Sequence, residues 1–113
     1  MFILDQSESY YWPVVVEVAQ SGGRYEKHSF ECLFKRISDA EFKEYIDKAA
    51  NKELTDKDIC KQVVLGWKGI QEAKEEVPFT ITSLEKVLNV PQAANAIAMA
   101  FLDSVTGIKR KNS

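Results

Sequence analysis

Hydrophobic and polar residues alternate along two segments near the start of the chain, which predicts an antiparallel β-hairpin. The run 13–19 begins with Pro13, is rich in valine and places alternate side chains on one face. Gly22 and Gly23 indicate a turn, because glycine adopts a positive φ without steric cost. The return run alternates again, and the face that we expect to be buried carries His28, Phe30, Cys32 and Phe34. The sequence therefore predicts an irregular segment over residues 1–12 and a hairpin over 13–36.

The following part of the chain has helical spacing of apolar residues, with a start signal before each run. Capping boxes, in which an N-cap hydroxyl and an acid three residues later exchange bonds with the backbone, are predicted at Ser38, Thr55 and Thr82. The second of these helices is expected to continue to Trp67. Residues 68–81 are interpreted as a loop.

Further signals complete the helical part, which is predicted to cover residues 38–107. In the loop, Phe79 and Ile81 are expected to turn inward. Pro91 suits the first turn of a last helix, and Gly107 suits its C-terminal cap. A basic tail follows over residues 108–113. The fold class predicted is α+β, with an N-terminal antiparallel β-hairpin packed on a C-terminal bundle of about four helices.

Length and composition agree with one small domain over residues 1–113. Hydrophobic residues make up 45% of the 113 residues and charged residues 28%, which is typical of a globular chain with one core. The 15 basic and 17 acidic residues give a net charge of −2, whereas nucleic-acid-binding domains usually carry a basic excess. The start of the chain lacks the pattern of a signal peptide, and no apolar run approaches the roughly 18 residues of a membrane helix. We therefore expect a cytoplasmic protein.

The residue types that carry enzymatic chemistry are few. His28 is the sole histidine and is expected to be structural or partly exposed, because a catalytic role would need an orienting acid and a nucleophile nearby. Cys32 and Cys60 form no CxxC motif and are predicted to be buried free thiols, with a disulfide as the alternative. Acidic pairs such as Asp56 and Asp58 lie at helix starts, where acids stabilise the helix dipole. The sequence thus predicts no catalytic residue, no metal ligand and no cofactor.

Two features could bind a partner. Gly66-Trp67-Lys68-Gly69 matches the GXXG pattern of nucleic-acid-binding KH modules, which supports an adaptor or regulator as an alternative function. Aromatic residues near turns, Trp67 among them, suit either a small core or a protein-binding patch. The residues leave these two interpretations of Trp67 open.

Several segments, in their order and spacing, resemble the small tail assembly chaperones of long-tailed bacteriophages and prophages. The resemblance spans about residues 12–112. It is carried by Trp-Pro-Val-Val-Val at 12–16, the Gly-Gly turn, Phe-Glu-Cys-Leu-Phe-Lys-Arg-Ile-Ser-Asp-Ala-Glu at 30–41, Val-Val-Leu-Gly-Trp-Lys-Gly-Ile at 63–70, Pro-Phe-Thr at 78–80, Leu-Glu-Lys-Val-Leu at 84–88 and Gly-Ile-Lys-Arg-Lys-Asn at 107–112. Residues 72–77 depart from the family pattern, in which an Asp-Gly turn is expected before Pro78-Phe79.

The resemblance implies a non-enzymatic protein of the host bacterial cytoplasm. Its partners would be the long helical tape-measure protein and the tail tube protein, with no small-molecule substrate, membrane or nucleic acid involved. A chaperone for an amphipathic helix needs a hydrophobic groove with a polar rim. Candidate partner-binding residues are Trp67, Ile70 and Phe79, with Phe101 more readily assigned to the core and with Lys109 and Arg110 adding attraction to an acidic client. An unpaired hairpin edge offers a route to a homo-oligomer.

Overall fold

A computed structural model describes residues 1–108 of the chain. Within this range the order of elements is β1 (Ser9–Gln20), β2 (Arg24–Lys35), α1 (Asp39–Ala50), α2 (Asp56–Val63), β3 (Val64–Lys68), β4 (Gln71–Glu72), β5 (Glu75–Glu76), α3 (Ile81–Leu88) and α4 (Ala93–Thr106). The fold is α+β, as the sequence predicts.

The predicted hairpin is present, and it is longer than expected. β1 and β2 pair in antiparallel register from Ser9 opposite Lys35 to Gln20 opposite Arg24, and both turn glycines have positive φ. The expectation that residues 9–12 are irregular is wrong. Here the side chains continue the alternation of β1, so that Tyr10 faces the core and Tyr11 faces solvent.

A third strand, which the sequence pattern does not predict, completes the sheet. The order of strands is β1-β2-β3, and Trp67 of β3 lies opposite Cys32 of β2. The prediction that the second helix reaches Trp67 is wrong, because α2 ends at Val63. The β-branched pair Val63-Val64 favours extended backbone at this point, and β2 offers an unpaired edge.

The predicted loop 68–81 contains the short hairpin of β4 and β5. Its turn residues, Ala73 and Lys74, have φ of 52° and 66°. Phe79 is half-buried as expected, whereas the expectation that Ile81 turns inward is wrong, since Ile81 is 76% exposed.

The core lies between one face of the sheet and the helices. α4 packs against β1, where the hydroxyls of Tyr10 and Ser104 are 2.8 Å apart. Phe101 of α4 also meets Phe34 of β2, ring to ring and edge to face, at 5.2 Å. α2 and α3 pack on α4 in turn. The fully buried core therefore joins β2 to the last helix of the chain.

The helix starts follow local hydrogen-bonding chemistry. Ser38 accepts a bond from the backbone N–H of Glu41 at 3.2 Å, which is one half of the predicted capping box. At Thr55 both halves are present: the Asp58 N–H donates to the threonine hydroxyl at 3.2 Å, and the Thr55 N–H donates to the Asp58 carboxylate at 2.9 Å.

The last two helices begin at residues other than those predicted. Thr80, not Thr82, is the N-cap of α3, because its N–H donates to the Ser83 hydroxyl at 2.8 Å and its own hydroxyl accepts from the Ser83 N–H. Pro91 precedes α4 rather than occupying its first turn, since the chain reverses at Gln92 with a φ of 72°. Gly107 ends α4 with a φ of 75°, as predicted.

Candidate functional site

An open groove of about 520 Å³ lies between the distal half of the hairpin and the junction of α3 and α4. We call residues 14–30 of the hairpin the arm, because β3 pairs only with the residues of β2 that follow them. The groove is lined by apolar residues from the arm and from three later parts of the chain: Val16, Val18, Phe30, Ile70, Val87, Val90 and Ala93. Polar residues, including Glu26, Lys27, Ser29 and Gln71, form its rim.

The groove exists because the third strand is short. Gly69, which follows β3, has a φ of +87°, and a Cβ built there would lie 3.7 Å from Phe30. The chain therefore leaves the sheet beside Phe30 and continues into the short β4–β5 hairpin. As a consequence, the edge of β2 has no third strand beside the arm, and Val18, Val87 and Val90 line an open groove there.

Ile70 is the one member of the predicted trio that lines the groove. Trp67 is only 9% exposed, so the structure assigns it to the core. Its ring meets that of Phe79 edge to face at 4.9 Å. The two predicted aromatic residues are thus brought together, but as a packing pair beneath the surface. Phe101 is also in the core, at 1% exposure. The predicted residues Lys109 and Arg110 lie outside the described residues.

The single histidine lies on the rim of the groove. His28 is on the predicted face of β2, but the expectation that this position is buried is wrong, since the His28 side chain is 52% exposed. Its Nε2 is 2.7 Å from a carboxylate oxygen of Glu26, and half of each side chain or more is exposed. The pair is a solvated ion pair when the imidazole is protonated, and such pairs contribute little to stability.

Both cysteines are buried free thiols, as predicted. Burial raises the pKa of Cys32 to about 12, with a further contribution from the neighbouring Cys60. Burial likewise raises the pKa of Cys60 to about 12, with the Asp56 carboxylate adding to the effect. Because the thiolate is the nucleophilic form, neither side chain is activated for attack at neutral pH.

The GXXG segment does not form an exposed loop. Gly66, Trp67 and Lys68 belong to β3, with the tryptophan turned into the core. The Lys68 ammonium lies 3.9 Å from the centre of the Tyr11 ring, on the other face of the sheet. A KH-type loop holds a nucleic-acid backbone from an accessible turn, and this segment lacks that geometry.

Two further findings concern other kinds of site. Among residues 1–108, no group of three or more His, Cys, Asp or Glu side chains is placed to hold a metal ion. No helix in that range is long and apolar enough to cross a membrane.

Most residues of the groove were not predicted. Alternation identifies the face of the arm that carries Val16, Val18 and Phe30. It does not show which part of this face the helices leave open. Val87 and Val90 carry no signal of their own, because their position opposite the arm depends on how α3 and α4 pack.

Comparison of the chain with protein-family models, with curated proteins and with solved structures finds no match.

Proposed function

We propose that the protein is a non-enzymatic tail assembly chaperone of a long-tailed phage or prophage, acting in the host bacterial cytoplasm. Its client would be the helical tape-measure protein, which it would keep soluble while tail tube subunits assemble. The order of segments along the sequence supports the family. The observation that carries the proposal is the apolar groove beneath the arm.

The shape and lining of the groove suit one face of an amphipathic helix. Apolar side chains come from both walls, with Val18 on the arm and Val87 and Val90 opposite. A helix presents anchors at positions i, i+3, i+4 and i+7, and such a row of side chains fills an elongated apolar groove. The volume of about 520 Å³ lies within the range of established binding clefts.

The polar rim suits a client that must later be released. Glu26 and His28 are exposed on the arm, and Gln71 lies across the groove from them. A polar rim around an apolar centre is the usual arrangement of non-obligate interfaces. Removal of a client helix would return these rim groups to water at low cost, since they are already largely solvated.

The proposal predicts that a long helical protein is encoded downstream of this gene, and the test is co-expression with that protein. We expect the wild-type chain to raise the soluble fraction of that protein and to co-elute with it in size-exclusion chromatography. Val18→Glu places a charge in the apolar groove and should abolish both effects, because a buried unpaired charge opposes binding.

The matched control is Val15→Glu, which introduces the same side chain on the opposite face of the same strand. Val15 is 46% exposed and does not line the groove. It should leave client binding unchanged, while circular dichroism shows that both variants are folded. Equal loss of binding in the two folded variants would refute the groove, and absence of a complex with the wild type would refute the proposed function.

A further inference from the structure

The first four residues form an exposed apolar segment. Phe2 and Leu4 are 85% and 86% exposed, and Met1 and Ile3 are also exposed. Such a run of apolar side chains in water is unfavourable unless another surface covers it. We call residues 1–4 the N-terminal segment.

The root of this segment is fixed at the end of the sheet that is remote from the arm. The Arg36 guanidinium donates to the carbonyl oxygen of Ser7 at 2.6 Å, and the Arg36 backbone N–H donates to the Glu8 carbonyl at 2.8 Å. Arg36 directly follows β2, so these bonds continue the pairing of the two strands past Ser9. The N-terminal segment therefore begins beyond the open end of the hairpin.

The segment cannot fill the groove of its own chain. Val16 and Val18 lie about 23–30 Å along β1 from Ser9, and Ser7 precedes that strand. A fully extended chain reaches at most about 18 Å from Ser7 to Phe2, and only about 11 Å from Ser7 to Leu4. The side chains of Phe2 and Leu4 are thus too far from the groove to enter it together.

We infer that the N-terminal segment of one copy occupies the groove of a second copy. The segment offers successive large apolar side chains, and the groove offers an apolar lining of matching chemistry that the described part of its own chain leaves open. This inference rests on the proposed function in one respect, namely that the groove binds apolar side chains. It names a second occupant for that site.

The contact joins two different surfaces of the chain. Copies linked in this way form a reciprocal pair, a ring or an open chain, according to the angle between successive copies. The segment and a client helix would compete for one site. Self-association would cover the groove before the client is made, and the client would dissociate the oligomer by mass action.

Sedimentation velocity of the purified full chain over a range of concentrations tests the inference. The wild type should self-associate. Phe2→Ser with Leu4→Ser should weaken the association constant by at least about tenfold, because two large apolar side chains are lost from the contact. Ile108→Ser, at an exposed apolar residue elsewhere in the chain, is the matched control and should have no effect.

A mixing experiment gives the sharpest outcome. Val90→Asp should also yield a monomer, because it places a charge in the groove, whereas Ile81→Asp outside the groove should not. When the Phe2/Leu4 variant and the Val90 variant are mixed, one supplies an intact groove and the other an intact segment. We expect the mixture to form a dimer that neither variant forms alone.

The outcomes separate this inference from the proposed function. A wild type that stays monomeric, or a mixture that does not associate, would overturn the inference while leaving client binding to be judged by co-expression. Conversely, the Phe2/Leu4 variant should still bind the client, because its groove is intact. Two results together would support both the contact between copies and the proposed function. The mixture of variants should associate, and only the Val90 variant should lose client binding.

Discussion

The indole Nε1–H of Trp67 donates a hydrogen bond of 2.7 Å to the backbone carbonyl of Val77. The N–H of Val77 in turn donates to the carbonyl of Ile70 at 2.8 Å. Together these bonds close the base of the β4–β5 hairpin and hold Ile70 at the edge of the groove. Trp67 thus supports the groove from the core without lining it.

Replacement of Trp67 should therefore act on stability. Trp67→Ala removes a buried ring and should lower the free energy of unfolding by about 3–5 kcal/mol. Trp67→Phe keeps an aromatic ring against Phe79 but leaves the Val77 carbonyl without its donor, which should cost about 1–3 kcal/mol. Urea unfolding followed by far-UV circular dichroism measures both. An alanine variant as stable as the wild type would show that the ring does not contribute to the core.

The two glycines of the GXXG segment should respond differently to alanine. Gly69 has a φ of +87°, which costs an L-residue about 1–2 kcal/mol, so Gly69→Ala should destabilise the protein by that amount. At Gly66 an added Cβ would make an ordinary contact of 3.6 Å with Leu33, without a positive φ. Gly66→Ala should therefore change stability by less than about 0.5 kcal/mol. Thermal and urea unfolding of the Gly66→Ala and Gly69→Ala variants measures these losses of stability. Equal losses in the two variants would contradict the turn at Gly69.

Local signals in the sequence are sufficient for the turn of the hairpin, for the starts of α1 and α2 and for the end of α4. Alternation and the paired glycines specify the turn, and the reciprocal bonds of Thr55 and Asp58 depend only on residues three apart. The start of α3 was misplaced because Thr80 and Thr82 are both plausible caps. The choice of Thr80 depends on Ser83, whose hydroxyl also donates to the Pro78 carbonyl at 2.8 Å.

The third strand and the groove depend on contacts between distant parts of the chain. Residues 64–68 continue an amphipathic helical pattern, and they become a strand because β2 offers an edge to pair with. The position of Ile70 near a loop predicts it as a partner-binding residue. Val87 and Val90 are not predicted, because nothing in their own segment places them opposite the arm. Local periodicity reports which face is apolar, and tertiary packing decides what covers it.

The two buried thiols should make stability fall at alkaline pH. The pKa of each is raised to about 12 in the folded chain, from 9.0 for an ordinary thiol. Between these values the unfolded chain loses protons that the folded chain retains, so the free energy of unfolding decreases as pH rises from about 9 to 12. The slope is at most about 1.4 kcal/mol per pH unit for each thiol. Urea unfolding at intervals from pH 8 to 11 measures it.

A cysteine-free variant separates the thiols from other groups that titrate in this range. Replacement of Cys32 and Cys60 by alanine will lower stability at every pH, but the dependence above pH 9 should become shallower than in the wild type. Labelling with a thiol reagent at pH 8 should be slow in the folded wild type and fast in urea. An unchanged alkaline slope would show that the thiols are not the cause.

The capping box of α2 should stabilise the protein through the Thr55 hydroxyl and the Asp58 carboxylate. Thr55→Ala should cost about 1 kcal/mol of unfolding free energy, whereas Thr55→Ser keeps the hydroxyl and should cost little. The pKa of Asp58 is lowered, chiefly because its carboxylate accepts the Thr55 backbone N–H and also interacts with the threonine side chain. Since the folded chain favours the ionised form, this contribution is present above the ordinary aspartate pKa and is lost as pH falls through the lower, folded value.

The acid dependence gives a separate test of the carboxylate. Asp58→Asn should be less stable than the wild type at pH 7, and the difference in unfolding free energy should narrow as the pH falls below the ordinary aspartate pKa and through the lower pKa of the folded chain. Asp39→Asn is the matched control, because Asp39 also lies in the first turn of a helix and its carboxylate pairs with Lys43 on the exposed surface. If the unfolding free energies of the wild type and Asp58→Asn differ by the same amount at pH 7 and at pH 3, then the shape of the side chain, and not its charge, stabilises the start of α2.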